Sequence, residues 1–158
     1  MAATRWLDDD EMRAWLALLQ VHGLLFDQLD RELQRDHDLS AAEYEVLVNL
    51  ERADGHRLRM SDLADQALVT RSRLTHTVDR LEREGLVRRE ACPTDRRGSF
   101  AVLTRAGYKR LAQASPTHLE GVRARLFDRL DADQVSALAC ALEAVAAGLR
   151  EPSSPAPA

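Results

Sequence analysis

Two groups of side chains in this 158-residue chain are of types that meet anions and hydrogen-bonding edges. The first is a run of turn formers and charges, Pro93, Thr94, Asp95, Arg96, Arg97 and Gly98. Adjacent arginines on an exposed loop are costly to place together unless an anion meets them, and the minor groove of a nucleic-acid duplex supplies that negative potential. Asp95 can hold one guanidinium in a bidentate fork and fix its direction. The second group is Thr70, Arg71, Ser72, Arg73, Thr75, His76 and Arg80, which sets short hydroxyls beside cations. Such groups reach phosphates and base edges. Any amphipathic helix also shows a polar face to water, so this second group taken alone is equally a solvated surface.

The elements that would carry these groups are legible around them. Thr70 is a candidate N-cap and Gly85 stands where helices often end in a left-handed residue, which predicts a helix over 71–84. Leu74, Val78 and Leu81 then form one apolar stripe, opposite Ser72, Arg73, Thr75, His76, Asp79 and Arg80. Upstream, Ser61 is a second candidate cap for a short helix whose apolar face is Leu63, Ala64, Ala67 and Leu68. Two capped helices a few residues apart fit a helix-turn-helix, the first bracing the second across a major groove. Residues 86–90 and 99–103 read as strands with Pro93, Asp95 and Gly98 as turn residues between them, and 57–60 can add a third strand. The fold expected is mainly α with a small antiparallel β-wing: a winged helix-turn-helix over 40–104.

Flanking segments are helical. Over 7–36, Trp15, Leu18, Leu19, His22, Leu25, Phe26, Leu29 and Leu33 recur at spacings of three and four, while Leu16, Val21 and Leu24 spread apolar character to other sides. A helix apolar on several sides must be buried on several sides, and in a chain this small a second subunit is the simplest cover. Gly23 interrupts it at a cost of roughly 1 kcal/mol, which implies compensating packing around it. Ser40 with Glu43 is a capping box for the next helix, whose apolar face is Tyr44, Val46, Leu47 and Leu50. Thr104 can cap a long helix containing Tyr108, Leu111, Val122, Leu126 and Leu130, which Ser115-Pro116 should kink or break, and 130–133 makes the next boundary. Val135, Leu138, Leu142, Val145 and Leu149 approach a coiled-coil seam. The proline-rich tail, 151–158, is expected to be disordered. Both end segments, 7–36 and 105–150, are assigned to dimerisation; an intramolecular bundle is the alternative.

Net charge is −4, which sits badly with nucleic-acid binding until it is resolved along the chain. Residues 56–110 hold 13 Lys and Arg against 7 Asp and Glu, a local +6, and the remainder holds 9 against 19, or −10. Positive charge is thus concentrated where the candidate reading elements lie. No unbroken run of about 18 apolar residues predicts a membrane span, and the acidic N-terminus is unlike a signal peptide, so a cytoplasmic protein is expected. Cys92 and Cys140 form no CxxC pair, and the five histidines show no short ligand spacing, so neither a disulfide, a metal nor any other cofactor is expected. No phosphate-cradling glycine loop and no nucleophile with a base suggests an enzyme.

The order of elements, the helix RSRLTHTVDRLEREGLV and the wing DRRGSFAVLT resemble the multiple antibiotic resistance regulator (MarR) family of bacterial transcription factors. That family has an Asp-x-Arg wing followed by Leu-Thr, matched here by Asp95, Arg97, Leu103 and Thr104. The resemblance covers nearly the whole chain. It implies an intertwined homodimer, a repressor that binds double-stranded DNA at a pseudo-palindromic operator, Arg97 in the minor groove with Asp95 orienting it, and Arg96 at phosphate. On this reading Ser72, Arg73, Thr75 and His76 read or flank bases, while Thr70, Arg71 and Arg80 meet phosphates.

Family members often bind small aromatic or phenolic effectors between the dimerisation helices and the DNA lobe. Trp15, His22 and Tyr44 are candidate lining residues by placement, and equally candidate core residues. Some relatives sense oxidants through a cysteine in the first helix; this sequence has none before position 92, which leaves Cys92 beside the basic wing as the thiol to consider, against an inert strand cysteine. Two rival readings remain: a winged-helix module that binds protein without touching DNA, and a cysteine-based redox-responsive regulator.

Overall fold

The structure, a computed structural model, describes residues 4–67, 70–92 and 95–150. Asp8 opens the first helix, α1 (Asp9–His37): its carboxylate accepts from the Glu11 N–H at 2.8 Å, and the Glu11 carboxylate accepts from the Asp8 N–H at 3.0 Å. Two orphan donors are satisfied reciprocally, as in any capping box. At the other end Asp38 turns left-handed, with φ 51°, and returns its N–H to Gln34. Ser40 then caps α2 (Ala41–Arg52), with Glu43 closing the box as the sequence expects.

A 3₁₀ turn at Asp54–His56 leads into β1 (Arg57–Arg59), α3 (Met60–Gln66), α4 (Arg71–Arg83), β2 (Val87–Cys92), β3 (Asp95–Leu103), α5 (Arg105–Arg125) and α6 (Ala132–Arg150). The three strands form one antiparallel sheet in the order β1-β3-β2. Arg57 pairs with Val102 on one edge and Val87 with Leu103 on the other, and a bulge between Ala91 and Cys92 marks where the hairpin narrows toward its tip. Gly85, at φ 71°, makes the left-handed turn out of α4 that its position implies.

Contacts divide the chain into two compact units, Met1–Gly121 and Val122–Ala158, so the boundary falls inside α5. The core of the first unit is built from Leu33, Leu39, Leu47, Leu50, Leu63, Leu74, Val78 and Leu81, with Leu86, Val87, Ala101 and Leu111 closing it from the sheet and α5. It therefore holds α4 between α2, α3 and the wing. The second unit contains the end of α5, a 3₁₀ turn at Phe127–Arg129 and α6, which opens on a reciprocal cap between Asp131 and Gln134 at 2.8 and 3.0 Å.

Several sequence expectations are corrected. Ser61 does not cap α3: the helix starts at Met60 with Arg59 as its N-cap residue, and the Ser61 hydroxyl donates to Asp62 at 3.0 Å. The strands run longer than 86–90 and 99–103, because the hairpin keeps pairing as far as Cys92 and Asp95. Pro116 does not break α5, which is continuous from Arg105 to Arg125. Tertiary anchors on both sides outweigh the local cost of the proline: Leu111 and Ala114 are buried before it, and Thr117 is hydrogen-bonded to His37 at 2.8 Å after it. Around Gly23 nothing lies within 4 Å of where a Cβ would stand, so the compensating packing expected there is not made within the protomer. The stretch Ala132–Leu149 is long and apolar enough, by length and composition, to cross a bilayer, although Asp133 and Glu143 interrupt its apolar character. The tail at 151–158 lies outside the described residues.

Candidate nucleic-acid interface

The start of α4 is fixed locally. The Thr70 hydroxyl oxygen accepts from the Arg73 N–H at 3.3 Å, and burial of Leu74, Val78 and Leu81 turns the opposite face outward. Arg71, Ser72, Arg73, Thr75 and His76 are all exposed on the first two turns. The Thr75 hydroxyl donates to the Arg71 carbonyl at 2.9 Å, and the Thr77 hydroxyl to the Arg73 carbonyl at 3.1 Å. With its proton committed to the backbone, Thr75 offers an approaching partner an acceptor oxygen and a methyl group. That combination suits a base edge carrying an amino group or the thymine methyl.

Arg80 does not belong to this exposed set. Its Nε lies 3.1 Å from Glu43 and 3.1 Å from Glu84, and its Nη2 lies 3.4 Å from both the carboxylate and the carbonyl of Asp38. The Glu84 hydrogen bond, followed by the charge of Glu43, holds the guanidinium above its ordinary pKa. A cation engaged by three carboxylates acts as a strut within the fold, not as a freely displayed phosphate contact of the kind the sequence suggests. Sequence periodicity placed Arg80 on the polar side of α4 correctly but could not see Asp38, 42 residues upstream.

Arg89 is a second strut that the sequence reading missed. From β2 it reaches Asp79 at 2.6 Å and Glu82 at 2.9 Å, its backbone N–H donates to Glu82 at 2.9 Å, and its Nη2 approaches the Thr75 carbonyl at 3.5 Å. Helix and wing are thereby tied together along one side of α4. The hint available was only that a strand arginine follows a helix rich in acids by a short turn.

At the wing base, the Phe100 ring carries the Arg57 guanidinium at 4.4 Å from its centroid and that of Arg59 at 5.6 Å. These cation–π contacts leave charge displayed while the stems pack. Arg59, Ser61, Arg71, Thr75, Gly98 and Ser99 line a polar cleft of about 320 Å³ between the start of α4 and the wing. Pro93, Thr94 and the side chains of Asp95, Arg96 and Arg97 lie outside the described residues. The β3 backbone begins at Asp95, opposite Cys92.

The candidate effector residues part company. His22 and Tyr44 line one groove of about 900 Å³, bounded by α1, α2, α5 and the Arg73 and Thr77 side of α4. Trp15 is half exposed on α1, outside that lining, and His22 is exposed with its ring 5.1 Å from Phe26. Tyr44 is buried, donates to the Ser115 hydroxyl at 3.3 Å and stacks on His118 at 4.5 Å. His118 was not foreseen; its buried Nδ1 has no hydrogen-bond partner among the described residues, and burial lowers its pKa. Burial likewise raises the pKa of Glu45 on the same groove. Cys92 is buried in β2, which shields its sulfur from oxidants, and Cys140 is exposed on α6.

A braced reading helix, a supporting α3 and a three-stranded wing define a winged helix-turn-helix regulator. The MarR family model matches residues 37–98. HosA, a transcriptional regulator of Escherichia coli, is 33% identical over 111 residues, covering 70% of this chain and 80% of that protein. AbsC, a MarR family transcriptional regulator from Streptomyces coelicolor, superposes with a TM-score of 0.87 at 44% identity, covering 94% of this chain and 100% of that one. Sco3205, another MarR family regulator from Streptomyces coelicolor, solved in complex with DNA, gives 0.90 at 46% identity over 96% of this chain and 94% of that one. The chain belongs to the MarR family of DNA-binding transcriptional regulators and is not an enzyme.

Proposed function

We propose that this protein is a homodimeric, cytoplasmic repressor that binds a pseudo-palindromic operator and is released by a small aromatic effector. The observation that carries the DNA reading is the exposed set Arg71, Ser72, Arg73, Thr75 and His76, displayed on the first two turns of a helix whose other face is buried. A related chain of the same fold is described in complex with DNA. Two copies related by a two-fold axis would set their α4 helices about 34 Å apart, one duplex turn. Ser72, Arg73, Thr75 and His76 then face bases, Thr70 and Arg71 meet phosphate, and the cleft beside Arg59 and Ser99 takes the next phosphate along. Arg97 enters the minor groove under the orientation of Asp95, and Arg96 meets backbone.

The test uses a duplex that the purified protein selects from a random pool. Arg97→Ala should weaken its binding by about tenfold, as loss of one specific guanidinium contact implies. The thermal midpoint should not move. Unchanged affinity at physiological salt would remove the wing from the interface, and failure of the wild-type protein to select any duplex would remove the function.

The effector reading is supported by the groove on which His22, Tyr44 and His118 meet. An aromatic ring could stack beside Tyr44 and His118, whose rings stand 4.5 Å apart on the groove lining. Release requires that the ligand bind the DNA-incompetent spacing better than the competent one. Titrating salicylate-like acids and phenols against the preformed complex should lower DNA affinity several-fold, and a His118→Phe variant should respond less. A flat response across such a panel would dispose of the effector.

A further inference from the structure

Polar side chains from four helices converge on the corner between α1 and α2. Glu43 is the buried charge there, only 3% exposed, and both of its oxygens are engaged. One accepts from the Ser40 N–H at 2.8 Å and from the Ser40 hydroxyl at 2.9 Å, closing the cap of α2. The other faces Arg80 of α4 at 3.1 Å. Arg80 also meets the residue that ends α1, Asp38, while α5 holds the same corner through Arg110, whose guanidinium donates to the His37 carbonyl at 2.9 Å.

A half-buried ion pair is a poor way to gain stability, because desolvating its buried carboxylate offsets much of the attraction. A pair of apolar side chains would hold α4 equally well. What a guanidinium fork adds is direction, since its donors point along fixed lines toward carboxylates on two different elements. Arg80 stands about four to nine residues beyond the reading side chains, or roughly 6–14 Å along the helix axis. A tilt of about 10° at the corner would carry those side chains by about 1–2 Å, more than the roughly 0.5 Å range of a base-edge hydrogen bond.

We propose that Arg80 is a positioning residue for DNA recognition: by clamping α4 to Glu43 and Asp38 it sets the angle at which Arg71, Ser72, Arg73, Thr75 and His76 meet the duplex. This rests on the DNA-binding reading above.

The experiment compares the selected duplex with a shuffled duplex of equal length across a salt series. The diagnostic variant combines Arg80→Met with Glu43→Gln, because glutamine still closes the capping box and no buried charge is left unpaired. It should bind the selected duplex about tenfold or more weakly, the scale of one or two lost base contacts. Binding to the shuffled duplex should stay within about twofold, with the same salt slope, since phosphate contacts are untouched. Thermal midpoints should stay close to wild type, and Arg80→Lys, which keeps a charge but not the fork, should fall between.

A salt slope reduced by about one per subunit, with both duplexes weakened alike, would make Arg80 a phosphate contact and overturn the proposal. Unchanged affinity for the selected duplex would overturn it too, as would a loss that merely tracks a collapsed thermal midpoint. Selection of no duplex by the wild-type protein is a separate outcome, which removes the DNA reading and this inference with it.

Discussion

Gly107→Ala should destabilise the protein by about 3 kcal/mol or more, the upper end for overpacking, and lower its thermal midpoint by roughly 10 °C. Gly107 lies in the first turn of α5, where an ideal Cβ would stand 2.1 Å from the Leu86 carbonyl oxygen and 2.8 Å from Leu103 Cδ1. The carbonyl cannot step aside. It accepts from the Thr104 N–H at 3.1 Å, and the Thr104 hydroxyl reaches it at 3.0 Å and Gly85 O at 2.8 Å. That same hydroxyl oxygen accepts from the Gly107 N–H at 3.0 Å, capping α5. One methyl group would therefore pry the start of α5 off the turn between α4 and β2, and a protein with a total stability of about 5–15 kcal/mol has little to spare. A midpoint within about 2 °C of wild type would mean that the two backbones part without cost, contrary to the contact.

The sequence carried those features whose causes are local. Ser40 with Glu43, Thr70 and Gly85 act within four residues of themselves, and the stripe Leu74, Val78, Leu81 follows from helical period alone; all of them stand where they were expected. Features decided by distant partners were missed. Arg80 meets Asp38 and Glu43, Arg89 crosses from strand to helix, and His118 finds Tyr44 across helices, so periodicity could assign each a face but no partner. Pro116 misled because a local cost was weighed without the anchors at Leu111, Ala114 and Thr117. Gly107 did leave a trace: a glycine just inside a helix start costs stability relative to alanine and implies a reason, which here is close approach of another backbone.

The same separation of local from distant causes applies to the interface. The exposed tip of α4 is a product of its own cap and stripe, but its aim depends on two arginines whose carboxylate partners lie on other elements or across a turn. Arg89 ties helix to wing, Arg80 ties the helix to the corner where α1 ends and α2 begins, and Arg110 holds α5 to the same corner, beside the apolar core that Leu33 and Leu111 share with Leu74, Val78 and Leu81.

Leu16→Glu together with Leu24→Glu should leave each protomer folded while converting the protein to monomers, and should cut operator affinity by about 10²–10⁴, the factor supplied when a second lobe binds intramolecularly. α1 is 29 residues long, yet only Leu29 and Leu33 are buried on it. Trp15, Leu16, Leu18, Leu19, Val21, Leu24 and Phe26 are each about half exposed, a concentration of large apolar side chains on one helix that its own protomer leaves uncovered. Leu16 and Leu24, at 57% and 61% exposure, make little contact with their own protomer, so charge placed there costs the isolated fold almost nothing. Against a second copy each leucine would contribute about 1.5–3 kcal/mol of burial, and each glutamate would add the cost of desolvating a carboxylate. The sum weakens a dimer by several orders of magnitude. Sedimentation at micromolar concentration and titration of the selected duplex read the two effects separately. Monomers that keep full operator affinity would show that one lobe suffices, and a variant that stays dimeric would move the subunit contact off α1 altogether.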